Sequence, residues 1–559
     1  MALPGASTTI LAAARLPHKA TPARPLILAR PHTGIWAASI LAALVGLLSL
    51  VWHWQAGLVT ALPDATARLL LARTAVEGLQ IGPASLSSDL PLPQALITAL
   101  AWDNFLYSSG LAGALVSWAA YVIACIFIYK LVLGLTDSRL AAWTAIIFFS
   151  GPNVLYLQAT PLPLMVFVAL FCAFMHFFVA YLQDPHQVQK LLLPALVLML
   201  ATLSGYVGWA LLVAVLLVMV ATFLANRFTY AKAEAHLIFF GFLASFGIIV
   251  WLAANQVLFG DWLHFAKVQH ALAQSTPGGL SASGSWLSSL TLYALASEQA
   301  VGWVAALVAG LGLLAWLLGH MPFSIRLAGL LFLVPLPFCV AMLYTGTLAI
   351  SVPYLTTGPP LNSAWGILLA PAAGFFAGIL AARWQLPYWA SAKPTATRAS
   401  ALAARTRQVL RDRPLLLLPA LGLLSALVVT LQGPITVSEA QSALSSPTAR
   451  AQLQAGQWLQ GHWSGGLLLE QRSGNEQAVF TSQIPLPAFV SEDDSAAWAP
   501  ALHDPLAANI TWVVMRSAPN PTSQDQVWVA LRSSPVLAKG YYLAYQSGGI
   551  EVYVRSPGQ

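Results

Sequence analysis

GIWAASILAALVGLLSLVWHWQA, residues 34–56, contains no Asp, Glu, Lys or Arg, and the motif LPDATAR follows at residues 62–68. An α-helix rises about 1.5 Å per residue, so about 20 apolar residues cross a hydrocarbon core about 30 Å thick. Runs of this kind recur along the first three quarters of the chain. Spans are expected near residues 34–56, 110–129, 140–157, 162–182, 190–205, 208–225, 236–257, 300–319, 327–344, 365–382 and 414–431. Of the 559 residues, 58% are hydrophobic and only 8% charged, against about 25% charged in an average soluble domain. Too few charges remain to build a water-facing surface. The expected fold is an α-helical polytopic membrane protein with about eleven spans.

The formal net charge of +7 is arranged by side of the membrane, which argues for orientation rather than nucleic-acid binding. Residues 1–33 carry Arg15, Lys19, Arg24 and Arg30 with no acid, as in a cytoplasmic tail ahead of a signal anchor. A transit peptide shares that composition, which leaves an organellar origin as an alternative. With the N-terminus inside, one set of loops holds Lys130 and Arg139, then Lys190, then Arg227 and Lys232, then Arg326. The same set ends in a basic loop with Arg383, Lys393, Arg398, Arg405, Arg407, Arg411 and Arg413. The opposite loops hold few Lys or Arg, so the positive-inside rule is met. The expected location is the plasma (inner) membrane, N-terminus cytoplasmic and C-terminus extracytoplasmic. This topology needs a tight turn between Ser204 and Trp209. Cys125, Cys172 and Cys339 all lie inside apolar runs, without metal-type spacing.

Between the tail and residue 436, a membrane region (34–436) carries two long outer loops, 57–109 and 258–299. Loops of that length are uncommon unless functional. In the first, Leu69, Leu70, Ala72, Val76 and Leu79 fall near helical spacing while Arg68, Arg73 and Glu77 are polar, as in an amphipathic helix at the lipid interface. From Val437 charges return and apolar runs shorten. Residues 437–559 are expected to form a small extracytoplasmic α/β domain, with a helix over 441–460 ending near Gly461. Strands are expected at Gly466–Glu470, Thr511–Met515, Tyr541–Gln546 and Ile550–Val554.

No phosphate-binding glycine loop, zinc cluster or nucleophile elbow is present. The strongest catalytic candidate is Asp64, a general base toward a hydroxyl at the start of the first outer loop's helix. Arg68, four residues on along the same face, and Arg73 are candidate phosphate partners. Asp64 also suits an N-cap, and the two roles are compatible. Asp89, Asp103 and Asp261 are secondary candidates that equally suit solvated or capping acids. His264 and His270 do not make a metal site. Trp36, Trp102, Trp209, Trp365 and Trp384 read as interfacial anchors. Asn509-Ile510-Thr511 fits a glycosylation sequon.

Several short segments resemble, in order along the chain, the multi-spanning glycosyltransferases of the C-type fold. The likeness is to bacterial relatives of protein mannosyltransferases and lipid A aminoarabinose transferases. The segments are Pro63-Asp64-Ala65, Leu92-Pro93 with Trp102, Gly110-Leu111-Ala112-Gly113, Pro152-Asn153-Val154-Leu155-Tyr156-Leu157-Gln158 with Thr160-Pro161, Gly205-Tyr206-Val207-Gly208-Trp209, Phe259-Gly260-Asp261 and Trp512-Val513-Val514-Met515-Arg516. The resemblance implies a polyprenyl-phosphate sugar donor used at the outer leaflet, with Asp64 as the matching catalytic acid. It implies Arg68, Arg73, Asp103, Asp261 and Tyr206 as substrate-binding or loop-supporting residues. The implied partners are membrane lipid, the lipid-linked sugar, and a glycan, lipid or protein acceptor. No other cofactor is implied, and a divalent metal stays open.

The chain departs from the resembled pattern at charged positions. Thr160-Pro161 leads into Leu162-Pro163-Leu164-Met165 where an acid is common, Gly205 and Val207 flank Tyr206 where Arg and Glu are frequent, and Asn362-Ser363-Ala364-Trp365 replaces an Arg-Tyr pair. These departures keep a second reading open: a non-catalytic relative acting as a membrane scaffold or a glycan- or partner-binding protein. A transporter ranks last, because the span cores are almost free of charge.

Overall fold

The computed structural model describes residues 34–79, 90–275, 282–353, 359–389, 416–517 and 525–557. The tail 1–33, Asp89, and Lys393, Arg398, Arg405, Arg407, Arg411 and Arg413 lie outside the described residues.

The chain begins with α1 (Ile35–Gln55), α2 (Pro63–Val76), α3 (Pro91–Leu100), the short α4 (Asn104–Ser108) and α5 (Leu111–Thr136). Next come α6 (Arg139–Phe149), α7 (Pro152–Leu157), α8 (Leu164–Leu182), α9 (Leu192–Thr202), α10 (Val207–Ala225) and α11 (Tyr230–Phe259). The long second loop holds α12 (His264–Ser275) and α13 (Trp286–Val301), followed by α14 (Trp303–Leu317), α15 (Phe323–Leu330), α16 (Pro335–Tyr344) and α17 (Ala370–Trp389). A last apolar helix, α18 (Leu417–Gln432), leads into α19 (Ile435–Ser445) and α20 (Pro447–His462).

Helix occupies each of the eleven expected segments. Among the described residues, however, eight helices are long and apolar enough to cross a membrane, or nine if the bent pair α13–α14 is one span. Two expected spans fall short. Residues 140–157 are broken after Phe149, because Pro152 cannot continue the ladder. Residues 190–205 begin as a 3₁₀ turn, Val188–Leu191, before the short α9. The bend of 107° between α13 and α14 falls at Gly302, whose φ of 95° suits glycine.

These interruptions leave backbone groups that lipid cannot satisfy. Asn153, fully buried in α7, supplies partners for two other helix ends, that of α13 and the start of α19. Its Nδ2 donates to the carbonyls of Gln299 and Ala300 (3.2 and 2.9 Å), and its Oδ1 accepts from Thr436 N and Oγ1 (3.1 and 2.8 Å). Tyr156 and Gln158 fasten the same short helix to α1 and the turn after it, through Gly46 O in mid-helix (2.8 Å, from Gln158) and Leu58 O (3.0 Å, from Tyr156). The turn between α9 and α10 is tight as required: Trp209 Nε1 donates to Thr202 O at 3.0 Å.

Where helices cross, small residues let backbones approach. A Cβ on Gly374 would stand 2.6 Å from Ala145 O, and one on Gly378 2.9 Å from Ala141 O, so α17 lies directly on α6. Gly312 of α14 meets Phe376 O of α17, where a Cβ would come to 2.0 Å. Gly113 of α5 faces Pro161, where a Cβ would come to 2.4 Å of its ring.

The C-terminal region carries a five-stranded sheet of order β2-β1-β3-β5-β4, with β1 (Leu467–Leu469), β2 (Phe489–Val490), β3 (Ile510–Arg516), β4 (Tyr541–Ser547) and β5 (Ile550–Arg555). β2, β1 and β3 are parallel, and β3-β5-β4 antiparallel. Four of these strands match the sequence pattern. The two-residue β2 was not anticipated, because Phe489–Val490 is too short to show alternation. The expected helix over 441–460 is two helices, parted where Ser446 caps α20 by accepting from Ala449 N (3.2 Å). A further helix, α21 (Glu476–Ser482), follows β1 and packs against α20 and α2.

Gly310, on the same helix as Gly312, has open space where a Cβ would sit. Gly312→Ala is therefore expected to cost about 1–3 kcal/mol by overpacking and to lower the thermal transition of the purified protein, while Gly310→Ala leaves it unchanged or slightly raised. Equal transitions for the two variants would show that α14 and α17 do not meet at Gly312.

Candidate functional site

α2 begins at Leu62, an extended N-cap residue, with Pro63 in the first helical position, where its missing N–H costs no intrahelical bond. Asp64 is thus not the cap. It stands one position further in, exposed, in the first turn near the positive end of the helix dipole. The expectation of an amphipathic helix resting on lipid needs revision. Leu69, Leu70 and Ala72 pack against Ile97 and Ala101 beside α3, Ala112 of α5, and Val479, Phe480 and Leu486 of the C-terminal region. Protein covers both flanks of α2, and Arg68, read as part of the polar face, is only 8% exposed.

Two further acids come to Asp64 from far along the chain. Glu439 of α19 and Glu476 of α21 both lie within the field of the Asp64 carboxylate. Glu439 is held from the other side: its Oε1 accepts from Asn362 N (2.6 Å), and its Oε2 from Ser363 N and Oγ (3.0 and 2.5 Å). Asn362 adopts a left-handed φ of 53°, which turns its N–H and that of Ser363 toward the carboxylate. Burial raises Glu476 above the ordinary carboxylate range, and the charges of Asp64 and Glu492 add to the shift, while the hydrogen bond from Gly474 N opposes it. Sequence reading missed both acids. Glu439 is the first acid after the last apolar helix, and Glu476 opens α21, but nothing local ties either to residue 64.

The other expected residues are placed apart. Arg73, three turns along α2, is engaged by Glu77 Oε1 (2.6 Å) and by the carbonyls of Ala101 and Trp102 (3.2 and 3.3 Å), with its guanidinium over the Tyr107 ring. Asp103 caps α4, accepting from Leu106 N at 2.9 Å. Asp261 pairs with Lys267 at 2.5 Å and accepts from Leu263 N at 3.0 Å, and these bonds, the lysine's first, hold it below the usual carboxylate range. Tyr206 stacks on Phe265 of α12, with ring centroids 5.1 Å apart. The two long loops are still joined in a chain. Gln94 donates to Arg68 O (3.0 Å), Leu92 N donates to Leu203 O (3.1 Å), and the following turn carries Tyr206.

The carboxyl ends of the parallel strands face the same helix. After β1, the N–H groups of Arg472 and Ser473 donate to Glu492, which follows β2 (2.8 and 2.7 Å). The Arg472 side chain bridges Asp493 (2.7 Å) and Thr74 of α2 (3.1 Å). Open α/β sheets bind ligands at such strand ends. Near this bridge Glu470 is 1% exposed, and among the described residues neither of its carboxyl oxygens has a hydrogen-bond partner. Burial pushes its carboxyl well above the usual range, Asp525 and Glu492 push it further, and Arg472 opposes. Asp525 is raised too, chiefly by burial. Among the described residues, no group of three or more His, Cys, Asp or Glu is placed to hold a metal ion.

Long apolar helices, a broken and capped bundle, and a strand-bearing C-terminal region closing over α2 define a polytopic membrane protein of the C-type glycosyltransferase fold. Two solved structures carry this likeness across nearly the whole chain. ArnT from Cupriavidus metallidurans bound to undecaprenyl phosphate aligns with a TM-score of 0.58 at 14% identity, over 94% of this chain and 99% of that one. The apo state of the same enzyme aligns with a TM-score of 0.53 at 14% identity, over 93% and 97%. No protein-family profile matches the chain, and no curated protein sequence does.

A carboxyl raised by burial contributes stability fully below its unfolded value, about 4.3, and loses it as pH rises toward the folded value. Glu470→Gln removes that loss. The variant is expected to raise the thermal transition of the C-terminal region by about 2–4 °C near neutral pH and to flatten its decline between mildly acidic and neutral pH. An unchanged pH profile would show that Glu470 does not titrate in this range.

Proposed function

We propose that the chain is a membrane glycosyltransferase that moves a sugar from a polyprenyl-phosphate-linked donor to a hydroxyl-bearing acceptor at the outer membrane surface. One observation carries this reading: Asp64 stands exposed at the start of α2, one helical turn before the buried Arg68, where the membrane helices meet the C-terminal region. The undecaprenyl phosphate held by ArnT supports the donor class. In this reading residues 57–109, 258–299 and 437–559 lie on the outer face, with 437–559 as a distinct domain.

In this reading the acceptor hydroxyl attacks the anomeric carbon. The bond from that carbon to the phosphate oxygen breaks, the polyprenyl phosphate leaves with the electron pair, and Asp64 takes the hydroxyl proton. Charge building on the leaving phosphate needs a cation and aligned dipoles. Arg68 supplies the cation and the first turn of α2 the dipole. Arg73, bound to Glu77 and two carbonyls, instead ties α2 to the turn at Ala101. Asp103 and Asp261 support loops. Glu439 and Glu476 complete the acidic cluster around Asp64.

Asp64→Asn is expected to abolish transfer from a polyprenyl-phosphate sugar in membranes while expression and gel-filtration behaviour stay as in the parent. Retained transfer would remove Asp64 from the mechanism. Undecaprenyl phosphate at about 100 times its Kd should stabilise the purified protein by about 2.7 kcal/mol, and Arg68→Gln should weaken that binding at least tenfold with the fold intact. No stabilisation at any accessible concentration would leave the scaffold reading in place.

A further inference from the structure

A cleft of about 470 Å³ opens between the first long loop and the C-terminal region, lined by Thr60, Ser108, Gln460, Gln477, Phe480 and Gln483 among others. Thr60 lies four residues before Asp64, and Gln477 lies next to Glu476, so the cleft borders the carboxylate cluster. Its volume falls within the range of small-molecule sites, about 300–1,000 Å³. No lining residue carries a charge, though acids and arginines crowd α2 and the strand ends nearby.

The side chains are set to bind rather than merely to fold. Gln477 is 9% exposed, yet its carboxamide makes no hydrogen bond among the described residues and is not sealed from solvent. A buried amide held open toward a cleft still has its hydrogen bonds to make. Gln460, exposed on α20, likewise presents an amide with no hydrogen bond among the described residues. Gln483 is fixed in place, its Nε2 donating to Phe480 O at 2.7 Å. Phe480 packs against Tyr107 in a T-shaped contact, with ring centroids 5.6 Å apart.

We propose that this cleft binds a neutral, hydroxyl-rich saccharide, which names the acceptor class of the transfer reaction. Its role as acceptor site rests on that reading; the binding itself does not. A carboxamide offers two donors and an acceptor side by side, as adjacent sugar hydroxyls require. Phe480 offers an apolar edge to the C–H groups of a sugar ring. An anionic glycan or a phosphate would need cations the cleft lacks, and an acyl chain would need a lining without amides.

The test uses the full chain in lipid nanodiscs, free of sugar-headed detergent, on an immobilised panel of neutral oligosaccharides (maltohexaose and chitohexaose series), acidic ones (oligogalacturonate and heparin fragments) and a peptide set. The expected result is retention by neutral sugars alone. Gln477→Leu and Gln460→Leu should each lower retention at least tenfold with an unchanged thermal transition. Gln460 is exposed, so that variant keeps the test valid if Gln477→Leu disturbs the fold. Retention by acidic sugars or peptides, no retention by any neutral sugar, or unaffected retention in folded Gln460→Leu would each overturn the proposal. Asp64→Asn should be retained like the parent. Retention of neutral sugars by a parent protein that transfers no sugar then counts against the transferase reading only, and transfer without retention counts against the cleft only.

Discussion

The carboxamide of Asn153 holds together the part of the molecule from which the rest is hung. Three helices end or begin in an apolar interior at this point: α7 after a proline break, α13 before its bend at Gly302, and α19 at its start. Each end exposes carbonyls or amides that water would satisfy in a soluble protein. One fully buried side chain with two donors and an acceptor oxygen answers three of them and the Thr436 hydroxyl besides. With that junction fixed, α19 can bring Glu439 onto the loop at Asn362, and α20 can follow and lay α21 over α2. The placement of the site thus depends on a polar residue inside an apolar motif, where its cost would be high if any one bond failed.

Much of the scaffold was legible in the sequence because length and apolarity are local properties. Each expected apolar segment is helical, and four of five strands follow an alternation visible in the residues. What could not be read was whether a segment crosses. Residues 140–157 and 190–205 have the composition of spans, but a proline and a 3₁₀ turn shorten them. The single-residue reading of Asp64 as a cap failed for a different reason: Pro63 takes the first helical position and shifts the cap to Leu62.

The surroundings of Asp64 were beyond sequence reading because they are assembled from distant parts. Glu439 and Glu476 lie more than three hundred residues away, and only the closure of the C-terminal region over α2 unites them with residue 64. The same closure turns a helix with an amphipathic pattern into one flanked by protein. It also explains why Arg68 is buried although its spacing places it on a polar face. The C-terminal region keeps its own tension: the Glu470 carboxyl, with no hydrogen bond among the described residues, lies in the field of an arginine that reaches across to Thr74.

The approach of Gly113 to Pro161, with room for nothing beyond a hydrogen atom, joins two sequence motifs nearly fifty positions apart. In descent such a pair behaves as one inherited character. A lineage that enlarges the first position must move the backbone at the second, whose Cα would stand 2.7 Å from the new Cβ, and losing the ring alone frees no room. Among diverged descendants, the small residue at the first site is therefore expected to outlast the proline at the second.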